Sequence, residues 1–234
     1  MTTDHDHPTA LEPIHIVLPM RTVSGGKARL GGALDAEERE ELVLGMLQHT
    51  LTVLGEWQAC RRIHIVSPDP IIDGATRLAG AEVSVHRQDG EGLNEAISLG
   101  ASAARVEGAV SLLVLPGDLP HLDVEALDEL ALAADAAMTA AAGGPLVAIA
   151  PSDARSGTNA LLLRPPDVIA PAFGPGSFEA HLRAAESAGA AVQVVSHPVL
   201  GFDLDTPDDL ERLDPPRLHE LMALGRGAAD RVGV

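Results

Sequence analysis

The chain has 234 residues, of which 46% are hydrophobic and only 2% aromatic, so its length suits one α/β domain with an aliphatic core. Its formal net charge of −18 excludes nonspecific binding to nucleic acid or to an anionic membrane, because both need a basic surface. A small phosphate ligand in a locally basic pocket is still allowed. The single cysteine, Cys60, excludes an intramolecular disulfide. The sequence also shows no signal-peptide pattern and no apolar run of membrane-spanning length, and these features together predict a cytoplasmic protein.

Short apolar runs alternate with helical patterns along the chain, which is typical of a mostly parallel sheet with crossover helices. Residues 1–13 predict a disordered tail, and residues 14–234 predict a single domain. The predicted strands are 14–19, 62–69, 81–86, 109–120, 145–151, 159–165 and 190–198. The first predicted helix has Asp35 as its N-cap, with Glu38 three residues on. Further helices are predicted near 72–80, at 92–106, near 123–136 and from Ser177 onwards. A last helical region is predicted from about 207, with a break near Pro215 and Pro216.

The loop after the first predicted strand is basic and rich in small residues. It carries Arg21, Lys27 and Arg29 and no acid, and Gly25 and Gly26 would let backbone N–H groups approach an anion. Its SGGKAR segment does not match the phosphate-binding pattern G-x-x-x-x-G-K-[ST], because the first glycine and the final serine or threonine are missing. The loop is therefore either a cradle for a nucleoside triphosphate or an ordinary exposed loop.

Two further polar segments lie at the edges of predicted strands. Asp118 follows the most apolar strand, where a carboxylate commonly holds a divalent metal, although a simple turn aspartate is the alternative. Thr158 offers a hydroxyl just before another strand. Ser177, after a Gly-Pro-Gly turn, is the predicted N-cap of a helix whose free N–H groups suit phosphate, and His181 lies on the same helix face. The alternative is plain capping by Ser177 with His181 on the surface.

Four aspartates crowd into the segment GFDLDTPDDL. Its TPDD part matches a helix start, with threonine as N-cap, proline at the first position and acids in the first turn, which accounts for Asp208 and Asp209. Asp203 and Asp205 precede that helix, two residues apart in chain predicted to be extended, so both side chains point to one face. Neighbouring carboxylates repel unless a cation lies between them. The pair is either a metal site or a solvated pair on a loop.

The order of these segments resembles a known family. PMRTVSGGKARL, VSPD, GLNEA, LPGDLPHL, GTNALLLRPP, FGPGSFEAH and DLDTPDDL together look like the guanylyltransferases of coenzyme F420 biosynthesis, across roughly residues 14–212. This resemblance to the 2-phospho-L-lactate or phosphoenolpyruvate guanylyltransferase family implies a single-domain, Rossmann-like nucleotidyltransferase fold of the GT-A-like type. The implied fold class is α/β, with a mixed, mostly parallel sheet flanked by helices. GTP and Mg²⁺ would be reactants, and GMP would pass to a small phosphorylated carboxylic acid with release of pyrophosphate.

The resemblance also implies roles for individual residues. Three acids would ligate magnesium: Asp118, Asp203 and Asp205. Three residues would hold the phosphate and carboxylate of the acceptor: Thr158, Gly174 and Ser177. The family usually has lysine where this chain has Arg21, so the cation is kept but its geometry differs.

The chemistry of this transfer agrees with the residues of the basic loop. An acceptor phosphate oxygen is already deprotonated at neutral pH, so the reaction needs cations and alignment rather than a base. We expect Lys27 and Arg29, together with Asp118, to be catalytic, with the two cations clamping the GTP phosphates. Arg21, Gly25 and Gly26 complete the predicted nucleotide site with Lys27. Asn94 is either a contact of the base or ribose, or a structural asparagine at a helix start.

Several alternatives stay open at the sequence level. Another nucleotidyltransferase, of the molybdenum-cofactor or sugar-phosphate type, would share the fold, but its usual glycine-rich loop is absent. A noncatalytic nucleotide-binding regulator is the alternative of a different class. Phosphoenolpyruvate, 2-phospho-L-lactate and 3-phospho-D-glycerate are equally compatible acceptors. The sequence does not fix the oligomeric state, for which a homodimer is one option.

Overall fold

The computed structural model describes residues 13–76, 82–89 and 92–232. Within them, one sheet contains these strands: β1 (Ile14–Pro19), β2 (Cys60–Ser67), β3 (Val83–Arg87), β4 (Leu112–Val114), β5 (Leu146–Pro151), β6 (Thr158–Arg164) and β7 (Ala191–Val194). The helices are α1 (Ala36–Glu56), α2 (Ile71–Ala75), α3 (Leu93–Val106), α4 (Val124–Ala140), α5 (Ser177–Ser187), α6 (Pro198–Gly201), α7 (Pro207–Arg212) and α8 (Pro215–Val232). A 3₁₀ turn spans Ala28–Gly32.

The sheet order is β3-β2-β1-β4-β6-β5-β7. The β1/β2, β1/β4, β2/β3 and β5/β7 pairs are parallel, whereas β6 is antiparallel to both β4 and β5. After β1 the chain extends the sheet to one side through β2 and β3 and then returns to place β4 on the other side of β1. This reversal of strand order opens a crevice at the carboxyl ends of β1 and β4, where ligands bind in open α/β sheets. The predicted α/β fold class with a mixed, mostly parallel sheet is confirmed.

Two apolar layers cover the sheet, because successive strand side chains point to opposite faces. Along β1, Ile14, Ile16 and Leu18 pack into a cluster with α1 and α4, whereas Val17 packs on the other face with α3 and α5. A third, smaller cluster includes Leu30, residues of α1 and α8, and the segment that follows α6. This third cluster lies beneath the loops that carry the polar residues described below.

The predicted elements are all found, with shifted boundaries. The Asp35–Glu38 capping box starts α1, and a break at Pro215 separates α7 from α8, as predicted. The fourth strand is much shorter than the predicted 109–120, because the apolar run continues into a buried loop. The prediction of Ser177 as an N-cap is wrong: Gly176 caps α5 and Ser177 is its first residue.

Some predictions fall on residues that the structure does not describe. The predicted tail, 1–13, lies outside the described residues except for Pro13, and so does the end of the predicted helix near 72–80. Among the described helices, none combines the length and the apolar character that crossing a membrane requires.

Candidate active site

The crevice at the carboxyl ends of β1 and β4 forms a pocket of about 370 Å³. The loop after β1 supplies most of its lining, and Asp118 from the loop after β4 and Asp205 from the segment before α7 complete its acidic side. A backbone hydrogen bond of 3.0 Å from the N–H of Leu204 to the carbonyl of Asp118 joins these two acidic segments. The fold thus brings together residues that are far apart in the sequence.

Lys27 is the centre of charge in this pocket. Its Nζ donates to Asp118 Oδ2 at 2.9 Å and to Asp205 Oδ1 at 2.6 Å, and its side chain is only 11% exposed. Burial alone would lower the pKa of this ammonium, but the carboxylates of Asp118 and Asp205 outweigh burial and raise it. Lys27 therefore stays charged, and two of the three predicted metal ligands converge on its ammonium.

Asp203 is the third acid of the group and lies deeper than Asp205. Its Oδ1 accepts a 3.2 Å hydrogen bond from Asn159 Nδ2. Burial and the nearby charge of Asp118 raise the pKa of Asp203, with a smaller contribution from Asp205, which places all three carboxylates in one electrostatic field. This environment contradicts the alternative of a solvated pair on a loop. Leu204, between the two acids, is fully buried and anchors the segment.

The backbone around Lys27 is held in an unusual conformation. Lys27 has φ = 50°, in the left-handed region that side-chain-bearing residues seldom adopt, and such strain is common at functional sites. The N–H of Val23 donates to buried Asp69 Oδ2 at 2.8 Å, which ties the loop to the end of β2. The N–H of Gly26 donates to the carbonyl of Val23 at 3.0 Å, so it is already used within the loop. Gly25 and Gly26 both line the pocket, but the N–H of Gly26 is not free to donate to an anion in this conformation of the loop.

Arg21 and Arg29 stand on the open side of the same pocket. Both side chains belong to exposed residues that line it, and within the described part of the chain neither forms a salt bridge. Lys27 is committed to carboxylates, so these two guanidinium groups are the cations of the loop that face solvent. They fit the charge and the planar geometry of phosphate oxygens.

Thr158, Ser177 and His181 form one buried hydrogen-bonded group, and Thr158 directly precedes Asn159, which contacts Asp203. His181 Nε2 accepts from the N–H of Ala172 at 3.0 Å, so its proton resides on Nδ1, which lies 3.0 Å from Thr158 Oγ1. Ser177 Oγ also donates to Thr158 Oγ1, at 3.3 Å. Thr158 thus accepts two hydrogen bonds, and its own hydroxyl proton is left to donate. Burial lowers the pKa of His181 to about 4, and the surface position considered for this histidine is wrong.

Gly174 and Asn94 lie on the opposite edge of this group. The N–H of Ser177 donates to the carbonyl of Gly174 at 3.0 Å, and Ser177 Oγ reaches Thr158 at the start of β6, so the three predicted acceptor residues are linked through Ser177. The side-chain amide of Asn94 pairs with the backbone of Phe173 through both its groups, at 3.1 and 2.7 Å. In this structure Asn94 fixes the turn through this pairing, which supports the structural alternative for this residue.

The two remaining aspartates of GFDLDTPDDL cap α7, as predicted. Thr206 and Asp209 form a reciprocal capping box, and Asp208 lies exposed in the first turn. Burial is outweighed by hydrogen bonds from Thr206 and Asp205, which lower the pKa of Asp209. Asp209 is therefore an ionised cap rather than a member of the acid group around Lys27.

Three contributors to the site were not identified from the sequence. Asn159 orients Asp203, Asp69 holds the basic loop, and Leu204 anchors the acid segment from below. Only Asn159 gave a signal, since an asparagine at the start of an otherwise apolar strand is disfavoured unless its amide has partners.

Solved structures with a similar fold include nucleotidyltransferases. A nucleotidyl transferase from Methanothermobacter matches with a TM-score of 0.57 at 21% identity, over 90% of this chain and 98% of that one. At this identity the likeness shows the fold alone. Together with a pocket that combines cations and carboxylates at the β1–β4 crevice, it defines the class as a nucleotidyltransferase fold.

Sequence comparisons identify the family. The family model for the "Guanylyl transferase CofC like" group matches residues 14–219. A phosphoenolpyruvate guanylyltransferase from Rubrobacter xylanophilus is 45% identical over 86% of this chain and 93% of its own length. A 3-phospho-D-glycerate guanylyltransferase from Colwellia psychrerythraea is 31% identical over 85% of this chain and 90% of its own. The chain belongs to the CofC-like guanylyl transferase family, which confirms the resemblance seen in its sequence.

Proposed function

We propose that this protein transfers GMP from GTP to a small phosphorylated carboxylic acid and releases pyrophosphate, as a step of coenzyme F420 biosynthesis. The observation that supports it most is the convergence of Lys27, Asp118 and Asp205 in a pocket lined by Arg21 and Arg29, in a member of this family. This arrangement can receive two anionic substrates and neutralise both. Its relatives are named for two different acceptors, so the acceptor is the open part of the proposal.

In the proposed reaction, an oxygen of the acceptor phosphate forms a bond to the α-phosphorus of GTP, and the bond from that phosphorus to the bridging oxygen of pyrophosphate breaks. The attacking oxygen carries its charge already, so no base is required. The chain must instead hold two anions in line. We assign Arg21 and Arg29 to the triphosphate, with Gly25 allowing its close approach. Lys27 keeps the carboxylates of the pocket neutralised and lines the same pocket as these two arginines.

The acid group fits a magnesium ion, because carboxylate oxygens are the donors that Mg²⁺ prefers. Asp118 and Asp205 already converge on one cationic atom, and Asp203 lies in the same field. We propose these three as the ligands. When bound, the ion would supply positive charge at the phosphates and help align them.

Thr158, Gly174 and Ser177 are proposed to hold the phosphate and carboxylate of the acceptor. The free hydroxyl proton of Thr158 is a donor for an anionic oxygen, and the start of α5 adds free N–H groups beside it. Asn159 links this group to Asp203 through adjacent positions of β6. The acceptor would therefore lie next to the acid group that holds the metal.

The test is a panel of acceptors with product analysis. The purified chain is incubated with GTP, Mg²⁺ and phosphoenolpyruvate, 2-phospho-L-lactate or 3-phospho-D-glycerate, and pyrophosphate and product mass are measured. We expect pyrophosphate and a GMP adduct with one of these acids. Tight GTP binding without pyrophosphate release for every acceptor would instead indicate a noncatalytic regulator. Higher turnover with CTP or ATP than with GTP would contradict guanylyl transfer.

A further inference from the structure

Three histidines lie side by side across three neighbouring strands, away from the pocket. His15 of β1, His64 of β2 and His86 of β3 are linked by N···N distances of 3.0 Å and 3.1 Å. His64 is fully buried and His15 is 6% exposed. His15 precedes the pocket residue Pro19 by four positions, which is about 13 Å along a strand. The row is therefore separate from the acids of the proposed magnesium site.

An acidic side chain joins this row from the helix above it. Glu107, which follows α3 directly, brings a carboxylate oxygen within 4.8 Å of one ring nitrogen of His15 and one ring nitrogen of His64. Two nitrogens bound to one tetrahedral zinc ion, at about 2.0–2.1 Å each, lie about 3.3–3.4 Å apart. The observed 3.0 Å between the histidines is within a few tenths of an ångström of that separation.

The hydrogen bonds among the three histidines are compatible with metal binding after one proton changes position. A neutral imidazole has one N–H, so the row is satisfied when His15 donates to His64 and His64 Nδ1 donates to His86 Nε2. Ligation by His15 Nδ1 and His64 Nε2 requires only that the His15 proton move to its Nε2. The His64–His86 bond is kept, and it is the outer hydrogen bond that a ligating histidine usually makes.

We propose that His15 Nδ1, His64 Nε2 and a carboxylate oxygen of Glu107 form a binding site for a borderline transition-metal ion such as Zn²⁺ or Co²⁺. Two imidazoles and one carboxylate select this class over Mg²⁺, which prefers oxygen donors alone. Three protein ligands leave a fourth position for water. The bound ion would tie the carboxyl end of α3 to β1 and β2.

Arg62 and Arg61 are the neighbouring groups whose positive charge opposes a cation near His15, and the charge of Arg62 is already paired. Its Nε lies 3.0 Å from Glu107 Oε2, and its terminal nitrogens donate to Glu82 and Ser84. Arg62 contacts Oε2 of Glu107, and a carboxylate has two oxygens, so it can pair with the guanidinium and still offer a ligand atom. The carboxylate would then bridge the guanidinium and the ion.

The test is titration of the full-length, chelator-treated chain with Co²⁺ alone, followed through its visible absorption, and then competition with Zn²⁺. We expect one four-coordinate Co²⁺ per chain, recognised by its intense visible absorption, and its displacement by Zn²⁺. Glu107→Gln and His15→Gln should each weaken binding at least tenfold. His86→Gln, which removes the outer hydrogen bond but no ligand, should weaken it about 10–100-fold.

Two control variants separate this site from other metal-binding groups. The double variant His5→Gln/His7→Gln removes the histidines of the N-terminal segment, and Asp205→Asn alters the pocket; both should keep the wild-type Co²⁺ spectrum and affinity. Circular dichroism checks that each variant is folded, and Glu107 is exposed, so its substitution leaves the core intact. Zn²⁺ should raise the melting temperature of the wild type but not of Glu107→Gln.

Two results would overturn the proposed metal site. The first is a wild-type protein that shows no absorption of four-coordinate Co²⁺. The second is an unchanged Co²⁺ affinity in both folded variants, Glu107→Gln and His15→Gln. Loss of binding in the His5/His7 variant assigns the metal to the N-terminal segment instead. Because no arm of the experiment uses turnover, failure here leaves the proposed guanylyl transfer untouched.

Discussion

Lys27 occupies the position in which a divalent cation would neutralise the acids of the pocket. Its ammonium is within hydrogen-bonding distance of Asp118 and Asp205, and its side chain is largely buried. An exposed ion pair contributes little to stability, but removing one partner of a largely buried pair leaves the other charge uncompensated. Lys27 thus lets the carboxylates of Asp118 and Asp205 approach one another without a bound ligand, and under the proposed function it would compete with a metal for the same oxygens.

Replacement of Lys27 by methionine should therefore have opposite effects on metal binding and on turnover. Without the ammonium, we expect the affinity for Mn²⁺, used in place of Mg²⁺, to rise about tenfold or more, because a positive charge a few ångströms away costs several kcal/mol at intermediate dielectric. GMP transfer should fall, since the charge balance around the triphosphate is lost. Calorimetric titration with Mn²⁺ measures the first effect and pyrophosphate release the second.

Arg29→Met is the matched control for this lysine. It removes a cation from the same loop that does not contact the acids, so it should lower turnover without tightening Mn²⁺ binding. If Lys27→Met leaves the Mn²⁺ affinity at the wild-type value, the competition between the ammonium and the metal is refuted.

The four aspartates of the 201–210 segment divide into two functional pairs, and conservative substitutions should reveal it. Asp205→Asn removes a charge that faces Lys27, so we expect Mg²⁺-dependent turnover to fall at least a hundredfold with the fold intact. Asp209→Asn weakens a helix cap, which should cost about 1 kcal/mol of unfolding free energy and leave most of the turnover. Urea denaturation and steady-state assays on both variants make the comparison, and equal activity losses would argue against the division.

At the residue scale, the sequence was informative where local chemistry is unusual and silent where partners are distant. Asp118 and the basic loop could be selected because they follow predicted strands, and Asp205 because the helix start that accounts for Asp208 and Asp209 does not account for it. The contact of Lys27 with two carboxylates could not, because it joins positions 91 and 178 residues apart. Asn94 shows the converse: its residue type suited a ligand contact, but its amide is used by the backbone of Phe173.

At the scale of elements, the start of α5 and the start of β6 are joined by one histidine. His181 fixes the direction of the Thr158 hydroxyl, because its Nδ1–H and Ser177 fill the accepting positions of that oxygen. The sequence placed His181 on the correct helix face but could not show that this face is buried. The boundary of β4 also differs from the prediction for a physical reason. Leu115 and Leu119 are fully buried in the loop after β4, so their hydrophobicity indicates burial and not strand structure.

We expect His181→Gln to act on the acceptor and not on GTP. Without the fixed imidazole, the Thr158 hydroxyl is no longer oriented towards an anion, so the KM of the acceptor should rise about tenfold while the KM of GTP stays unchanged. A control at Ser187, which bonds only its own helix, should alter neither constant in a Ser187→Ala variant. Equal increases in both KM values would indicate general loss of structure, which urea denaturation would detect.

At the scale of the whole molecule, α8 supports the pocket from outside the sheet. Arg217 Nε donates to the carbonyl of Pro120 at 2.7 Å, in the loop that carries Asp118. Leu221 and Met222 pack in the cluster that also holds Leu204, between two of the acids. The resemblance to the family ends near residue 212, just before α8. The sequence therefore predicted a helix in this region but gave no sign that this helix supports the pocket. That role depends on how closely α8 approaches α1.

Glycines at the contact of α1 and α8 make this close approach possible. A Cβ atom at Gly45 would lie 1.9 Å from the carbonyl oxygen of Leu221, and one at Gly225 would lie 1.8 Å from that of Glu41. A backbone carbonyl within a helix cannot rotate away as a side chain can. The two helices are therefore in backbone contact at positions where no other residue type fits.

Gly225→Ala should consequently destabilise the protein even though alanine favours a helix. Overpacking of this kind costs about 1–3 kcal/mol, and the gain in helix propensity offsets less than about 1 kcal/mol of it.

Gly227→Ala provides the matched control two residues further along α8, where the nearest neighbour of the new Cβ is the Arg231 side chain at 3.8 Å. There only the propensity gain applies, so the unfolding free energy should rise by about 0.5–1 kcal/mol. Urea denaturation of both variants gives the comparison, and because α8 holds the Asp118 loop, Gly225→Ala should also lower turnover at temperatures where it is still folded. Two variants of equal stability would show that the helices can separate without cost.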